Sequence, residues 1–393
     1  MMKQFSVSKA NEHRVGVEGL LLAVVGLLGL LVFTVRMVQS YDHWQGDERT
    51  YASFADRVAD GHLPFVDWSP GFTLVYSPLF AMGLDDAIAQ LIARVLFSVL
   101  LLVLVGMIVW RVTRDRRLTA ISMLAAGLHP MLSVGMTVRI FTAVLLVAPL
   151  LAITYKGKGL GIALIILAFA TLARPEVWIV YVLVLAIAAL WYRSELDLGA
   201  TAVSLAVAIG CGLFVLFGPE GSNFAGGRAL QAIGQHYAIY AAMPGVNVWN
   251  EWHIPFRRDF GDSTTALQML RENREAFGDY LWWNIQNIPN TVLEAYRISD
   301  RQELTKLAGV SVFLMLALAS VRWLRDGARR PEMTVVYAVA VFAMALPWPV
   351  TGMDVSPATA WAPIILVLAA LAVKRITGRS ETKESAAAEF NPS

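Results

Sequence analysis

The sequence predicts an all-α integral membrane protein of about ten transmembrane helices, and three observations predict it. The 393-residue chain is 57% hydrophobic with a mean hydropathy of +0.57. Only 16% of its residues are charged, against roughly 25% in a soluble domain. The apolar residues gather in charge-free runs near the ~20 residues that a helix needs to cross a hydrocarbon core. The Lys and Arg residues between the runs alternate in a way that puts them on one side. The formal net charge of +2 gives no bias toward nucleic acid, and the single cysteine, Cys211, excludes a disulfide framework and a Cys-based zinc site.

The elements follow in order. Lys3, Lys9 and Arg14 precede a first run at 19–35. This run is longer than a signal-peptide core and no Ala-x-Ala-like site follows it, so it reads as a retained span. Further spans are expected at 87–110, 118–134, 139–155, 159–173, 176–192, 198–217, 306–323, 333–349 and 358–373. Arg111, Arg114, Arg116 and Arg117 follow the second span, Lys156 and Lys158 the fourth, and Arg193 the sixth. Arg322, Arg325, Arg329 and Arg330 follow the eighth; Lys374, Arg375 and Arg379 follow the tenth. With ten spans, all of these loops share one side with the basic N-terminus. That side is the cytoplasm, so both termini are expected there, in a plasma membrane. The chain then divides into an N-terminal transmembrane module (1–217), a large helical outer loop (218–305), a C-terminal transmembrane module (306–379) and a polar tail (380–393) that composition predicts to be disordered.

The first outer loop, 39–86, carries the sharpest motif, Gly46-Asp47-Glu48-Arg49-Thr50-Tyr51. Tyr51, Phe54, Ala55 and Val58 share one face of a short helix ending at Gly61, which would lie in the membrane interface. Asp47 has two readings: an N-cap with Glu48 favouring the helix dipole, or a carboxylate held just above the bilayer for chemistry. Beyond the helix come His62, Pro64, Asp67 and the stretch Tyr76-Ser77-Pro78-Leu79. Other charged residues sit at expected outer ends of spans: Arg139, the segment Ala173-Arg174-Pro175-Glu176, and nearby His129 before Pro130. Each has a structural alternative: snorkelling for Arg139, pairing with Glu176 for Arg174, and a helix end for His129. Arg94 lies inside a span, where an ionisable group marks function or pairs with a carboxylate. The large loop is rich in aromatic residues, among them Tyr237, Tyr240, Trp249, Trp252, Trp282 and Trp283, with His236 and His253. Such rings stack on sugars, but Trp and Tyr also gather at membrane interfaces.

This arrangement resembles the GT-C superfamily of membrane glycosyltransferases, the mannosyltransferase- and aminoarabinose-transferase-like enzymes that use polyprenyl-phosphate-linked sugars. The resemblance rests on Asp47-Glu48 after the first span, followed by Tyr51, Gly61, Pro64, Asp67 and Tyr76-Ser77-Pro78-Leu79. It rests further on Ala173-Arg174-Pro175-Glu176 and, more weakly, on Phe277, Trp283 and Asn284. The topology covers most of the chain and the motifs about 40 residues. The second half departs from the pattern, with neither a soluble C-terminal domain nor the long C-terminal loop motifs of the oligosaccharyltransferase branch.

The resemblance implies an inverting transferase with Asp47 as general base and Glu48 supporting or replacing it. A base of this kind takes the acceptor hydroxyl proton, and positive charge must stabilise the leaving phosphate. Arg174, Arg139, His129 and Arg94 are the donor-phosphate candidates, since guanidinium binds phosphate in two-pronged geometry. Tyr51, Asp67, His236, Trp252 and Asn284 are the acceptor or sugar candidates. No metal ligands are expected and no cofactor is obligatory, although a divalent cation is compatible with some relatives. The expected partners are a polyprenyl-phosphate-linked sugar, a glycan, lipid or protein acceptor, and membrane lipids. Nucleotide sugars are confined to the cytoplasm, so a donor for the outer side must cross on a lipid. The competing reading is a transporter or flippase for a lipid-linked or amphipathic solute. Repeated halves and broken spans with midplane polar sites would favour it, whereas the polar residues here cluster at outer ends and loops. A third reading, a structural subunit of a membrane complex, requires Asp47 to be dispensable.

Overall fold

A computed structural model describes residues 47–128, 137–155, 159–220 and 227–295, with single helical positions within 24–35 and 363–370. Among the described residues the protein is all-helical, with no strand. The helices are α1 (Glu48–Ala59), α2 (Pro70–Ala81), α3 (Asp86–Thr113), α4 (Arg116–Leu128), α5 (Thr137–Ile153) and α6 (Gly159–Ala170). They continue with α7 (Val177–Trp191), α8 (Leu198–Phe217), α9 (Gly227–Ala241), α10 (His253–Phe260), α11 (Ala266–Glu272) and α12 (Arg274–Ala295).

The predicted interfacial helix is α1. Glu48, Tyr51, Ala52 and Ala55 form its buried face, the i, i+3, i+4, i+7 spacing of one helical stripe. It stops in a Schellman motif: Gly61 N–H donates to Val58 O (3.0 Å) and His62 N–H to Arg57 O (3.1 Å). Gly61 supplies the left-handed φ of 89° that this ending requires. The loop holds a second helix, α2; interfacial helices are expected in this loop, but the sequence reading assigns no residues to this one. Pro70 opens it at the first helical position. Gly71 lies against the backbone of Leu172: its N–H donates to Leu172 O (3.0 Å), and a Cβ there would meet Leu172 Cβ at 3.1 Å.

Helix α3 is capped by Asp85, whose Oδ1 accepts from Ile88 N–H (2.9 Å). It runs 28 residues, about 42 Å at 1.5 Å per residue. An aromatic cluster ties α1, α2, α3 and α5 together. Tyr51 meets Phe72 at 5.4 Å between centroids, Phe72 stacks on Tyr76 at 5.1 Å, and Phe97 meets Phe141 at 5.1 Å. Helix α5 packs on α3 and α6, and α6 also packs on α7 and α8. Ile364, Val367 and Ala370, in the span expected at 358–373, are buried in the same core.

The expected spans are seen in part. Six of the ten fall largely within the described residues, and two helices are long and apolar enough to cross a membrane: Asp86–Thr113 and Leu198–Phe217. The others are shorter. Helix α4 is described as far as Leu128, and over 159–173 stands a 12-residue helix, about 18 Å long. Proline explains one end: Pro175 disfavours the α conformation at Arg174, so the chain turns at 171–176. Helices α5 and α7 have 17 and 15 residues. The spans expected at 19–35, 306–323, 333–349 and 358–373 lie outside the described residues apart from the single positions above, as does the tail.

The large loop is helical, as expected, and builds a second core of its own. Leu230, Ile233, Tyr237, Trp252, Phe256, Phe260, Met269, Phe277 and Tyr280 are buried together across α9–α12. Helix α11 begins with a capping box between Thr265 and Gln268. Val66 N–H donates to Pro219 O (2.9 Å), so the segment between α1 and α2 is tied to the chain just beyond α8.

Candidate functional site

The site begins where α1 begins. Asp47 occupies the N-cap position, yet its side chain makes no capping hydrogen bond; Tyr51 N–H reaches its backbone carbonyl instead (3.1 Å). The simple capping reading of the carboxylate therefore does not hold, and Asp47 stands half-buried at the head of the helix.

Glu48 points the other way, into the protein. It is 2% exposed. Its Oε1 accepts a hydrogen bond from the backbone N–H of Thr137, the first residue of α5. The first N–H groups of a helix lack intrahelical partners and carry the positive end of the helix dipole, so a carboxylate there is well placed. The Arg94 guanidinium and the Gln90 amide also act on it. Burial nevertheless wins: it holds the Glu48 carboxyl above its ordinary range, against the downward pull of Thr137, Arg94 and Gln90.

Arg94 is 1% exposed. The carboxylate facing it is Glu48 and not the Asp85-Asp86 pair that opens its helix, since Asp85 caps α3 and both aspartates are exposed. Gln90, Arg94 and Ser98 are all buried. They lie at i, i+4 and i+8, a polar stripe along one face of an otherwise apolar helix. The sequence reading singled out Arg94 alone; that spacing is the signal that finds the other two. Thr137 carried no signal, because its role is a backbone N–H presented by a fold.

Arg139 lies in the first turn of α5, half-buried, and its Nε finds no hydrogen bond among the described residues. A cation in a first turn opposes the helix dipole. Arg94 and the α5 N-terminus thus bring positive charge to Glu48. Arg174 forms an ion pair with Glu176 (Nε to Oε2, 3.4 Å) with both side chains about one-fifth exposed. Its loop reaches the site through the Gly71–Leu172 bond. Asp67 is half-buried in the turn before α2, and Tyr51 is buried between Trp68 and Phe72. Contacts therefore link Glu48 to Arg94 and the start of α5, and Tyr51 through α2 to the Arg174 loop. His129 lies outside the described residues.

His236, Trp252 and Asn284 sit elsewhere, in the second helical unit. Trp252 is buried, with its ring against the backbone of Gly234, so the ring is committed to packing. Asn284 is fully buried beside Tyr280, whose hydroxyl is pushed by burial up to about 12. His236 is half-buried. The exposed aromatic rings of this unit are Trp249 and Trp282. Comparison with protein-family models, with curated proteins and with solved structures finds no match to this chain.

Proposed function

We propose that the protein is a membrane glycosyltransferase that moves a sugar from a polyprenyl-phosphate donor to an acceptor at the outer face. The observation that carries this reading is the pair of adjacent carboxylates in different environments. Glu48 is buried against Arg94 and the α5 N-terminus, while Asp47 stands half-buried at the head of α1. One carboxylate is fixed for structure and the other is placed for proton transfer. Asp47 takes the acceptor hydroxyl proton as the acceptor oxygen bonds to the anomeric carbon, with inversion. The bond between that carbon and the phosphate oxygen breaks, and the polyprenyl phosphate leaves. Arg139, close to the positive α5 N-terminus, and Arg174 supply charge for the leaving phosphate.

Membrane placement is supported by the exposed surface of α3. Ile88, Ile92, Leu96, Leu100, Val103 and Met107 are exposed along one stripe, about 29 Å from end to end. This matches a hydrocarbon core of ~30 Å. Helix α8 exposes Leu198, Val203, Ile209, Leu213, Leu216 and Phe217 in the same manner. Large unbroken apolar surfaces of this kind mark contact with another apolar phase. The ten-span topology with cytoplasmic termini remains part of the proposal.

The test supplies purified full chain with either a polyprenyl-phosphate sugar or the matching nucleotide sugar. Transfer from the lipid-linked donor is expected. Transfer from the nucleotide sugar alone overturns the reading. The transporter alternative draws on the same buried Glu48–Arg94 pair, because charges inside a membrane also mark solute paths. It predicts movement of the lipid-linked solute across a vesicle with no bond broken.

A further inference from the structure

The end of α3 remote from Glu48 carries a second charged constellation. Arg111, Arg114, Arg116 and Arg117 fall within seven residues, with Asp115 as the one carboxylate among them. Asp115 is engaged at the start of α4, where its Oδ1 accepts from Arg117 N–H (2.9 Å) and Leu118 N–H (3.2 Å). Arg114, Arg116 and Arg117 are exposed. Two aromatic rings are interleaved with them: the Arg111 guanidinium lies 3.6 Å from the Tyr155 ring centroid, and that of Arg116 lies 6.0 Å from Trp110. Arg111 Nε also donates to Thr154 O (3.3 Å) at the end of α5, which fixes the two helix ends together.

Arg114 adds a third observation. It holds φ at 54°, a left-handed conformation that glycine adopts freely and arginine does not. It closes α3, its N–H donating to Trp110 O (2.8 Å). The position of the cluster identifies what it meets. From Arg94 to Arg111 is 17 residues of continuous helix, about 26 Å, and the exposed apolar stripe of α3 runs out at Trp110, which is 37% exposed. The arginines therefore stand where an apolar phase would end, beside rings of the kind that settle at headgroup depth.

We infer that Arg111, Arg114, Arg116 and Arg117, with Trp110 and Tyr155, form a docking site for anionic phospholipid headgroups on the face opposite the Glu48 site. This rests on the reading of α3 as a bilayer-crossing helix. Guanidinium groups bind the headgroup phosphate in two-pronged geometry, while Trp110 and Tyr155 lie along the start of the acyl chains. Each basic residue near an anionic surface contributes roughly fivefold in affinity.

The test uses purified full chain in neutral detergent and reads the thermal midpoint while phosphatidylglycerol, phosphatidylcholine or inorganic phosphate is titrated in. Phosphatidylglycerol is expected to raise the midpoint, and the other two are not. The variant Arg114→Gly/Arg116→Gln/Arg117→Gln should need roughly a hundredfold more phosphatidylglycerol for the same rise. Arg114→Gly alone should keep or improve the unliganded midpoint, because it relieves the strain, and still weaken the lipid response about fivefold. Equal responses to phosphatidylcholine, a response to inorganic phosphate of the same size, or an undiminished response in Arg114→Gly overturns the proposal. An alkaline carbonate wash separates this failure from that of the membrane reading. Protein released from membranes sinks the reading itself, whereas protein retained but indifferent to phosphatidylglycerol sinks the headgroup site alone.

Discussion

Glu48 gives the sharpest prediction because two substitutions at one position separate two effects. Glu48→Ala removes the carboxylate that faces Arg94 and accepts from Thr137 N–H. Thr137 is fully buried, so its N–H stays behind without that acceptor. Leaving a buried backbone N–H without its acceptor costs about 1–3 kcal/mol. At roughly 2–4 °C per kcal/mol, the scaling for domains of 150–250 residues, the midpoint should fall by about 2–12 °C. Glu48→Gln keeps an acceptor for Thr137 and removes only the charge. Burial holds the Glu48 carboxyl above its ordinary range despite Arg94 and Thr137, so the ionised form is the costlier one in the folded protein. A carboxyl raised in this way contributes stability that is fully present below its unfolded value of 4.5 and lost as pH rises through its folded value. The Gln variant should therefore match the native protein below about pH 4.5 and exceed it near neutrality. The assay is thermal unfolding in detergent followed by tryptophan fluorescence across this pH range. A Gln variant as unstable as the Ala variant at neutral pH would refute the reasoning, since the Arg94 attraction would then outweigh burial.

Other predictions follow from the packing. Gly71→Val places a Cβ about 3.1 Å from Leu172 Cβ; it should cost about 1–3 kcal/mol and, by moving the Arg174 loop, lower donor affinity as read by KM. Tyr237 donates to Asp259 Oδ2 at 2.6 Å, and burial together with Asp259 pushes its hydroxyl pKa up; Tyr237→Phe should destabilise by about 1.5–3 kcal/mol in thermal unfolding. Trp252→Ala should cost about 3–5 kcal/mol through loss of core volume. A smaller change with selective loss of acceptor binding would instead support sugar stacking at this ring. Reporter fusions at Arg116 and Gln235 should report opposite sides of the membrane, and a shared side would end the topology proposed above.

The parts of this account that were legible in the sequence are those set by local periodicity. The apolar spacing of Tyr51, Phe54, Ala55 and Val58 with Gly61 behind it predicts α1 and its ending, although Ala52 is buried where Phe54 and Val58 are only half-buried. The charge-free run at 198–217 specifies α8 to the residue. The bounds of α2 were not legible because Pro70 and Pro78 interrupt any helical signal, although proline is accommodated at the first helical position and, at a cost, within an apolar helix. The short α6 was hidden because hydropathy continues through Thr171, Leu172 and Ala173 after the helix has ended; only Pro175 signals the turn. The site was half legible. Asp47-Glu48 stands out by its place, but which of the two turns inward depends on Thr137, 89 residues away, and no pattern in either segment records that pairing. The aromatic residues of 227–295 misled for a related reason. Tyr237, Trp252 and Tyr280 are buried by one another, and a ring destined for a core has the same composition as one destined for a sugar or an interface.

The central claim is that Asp47, and not its buried neighbour, takes the acceptor proton. Asp47→Asn keeps the shape at a half-buried position and removes the basicity, so the thermal midpoint should stay within the change expected of about 0.5 kcal/mol. The rate of sugar transfer from a polyprenyl-phosphate donor should meanwhile fall ~10²–10⁴-fold, with KM for the donor little changed. The decisive measurement is that rate for purified Asp47→Asn beside the native protein. A folded Asp47→Asn variant that transfers sugar at the native rate would contradict the account.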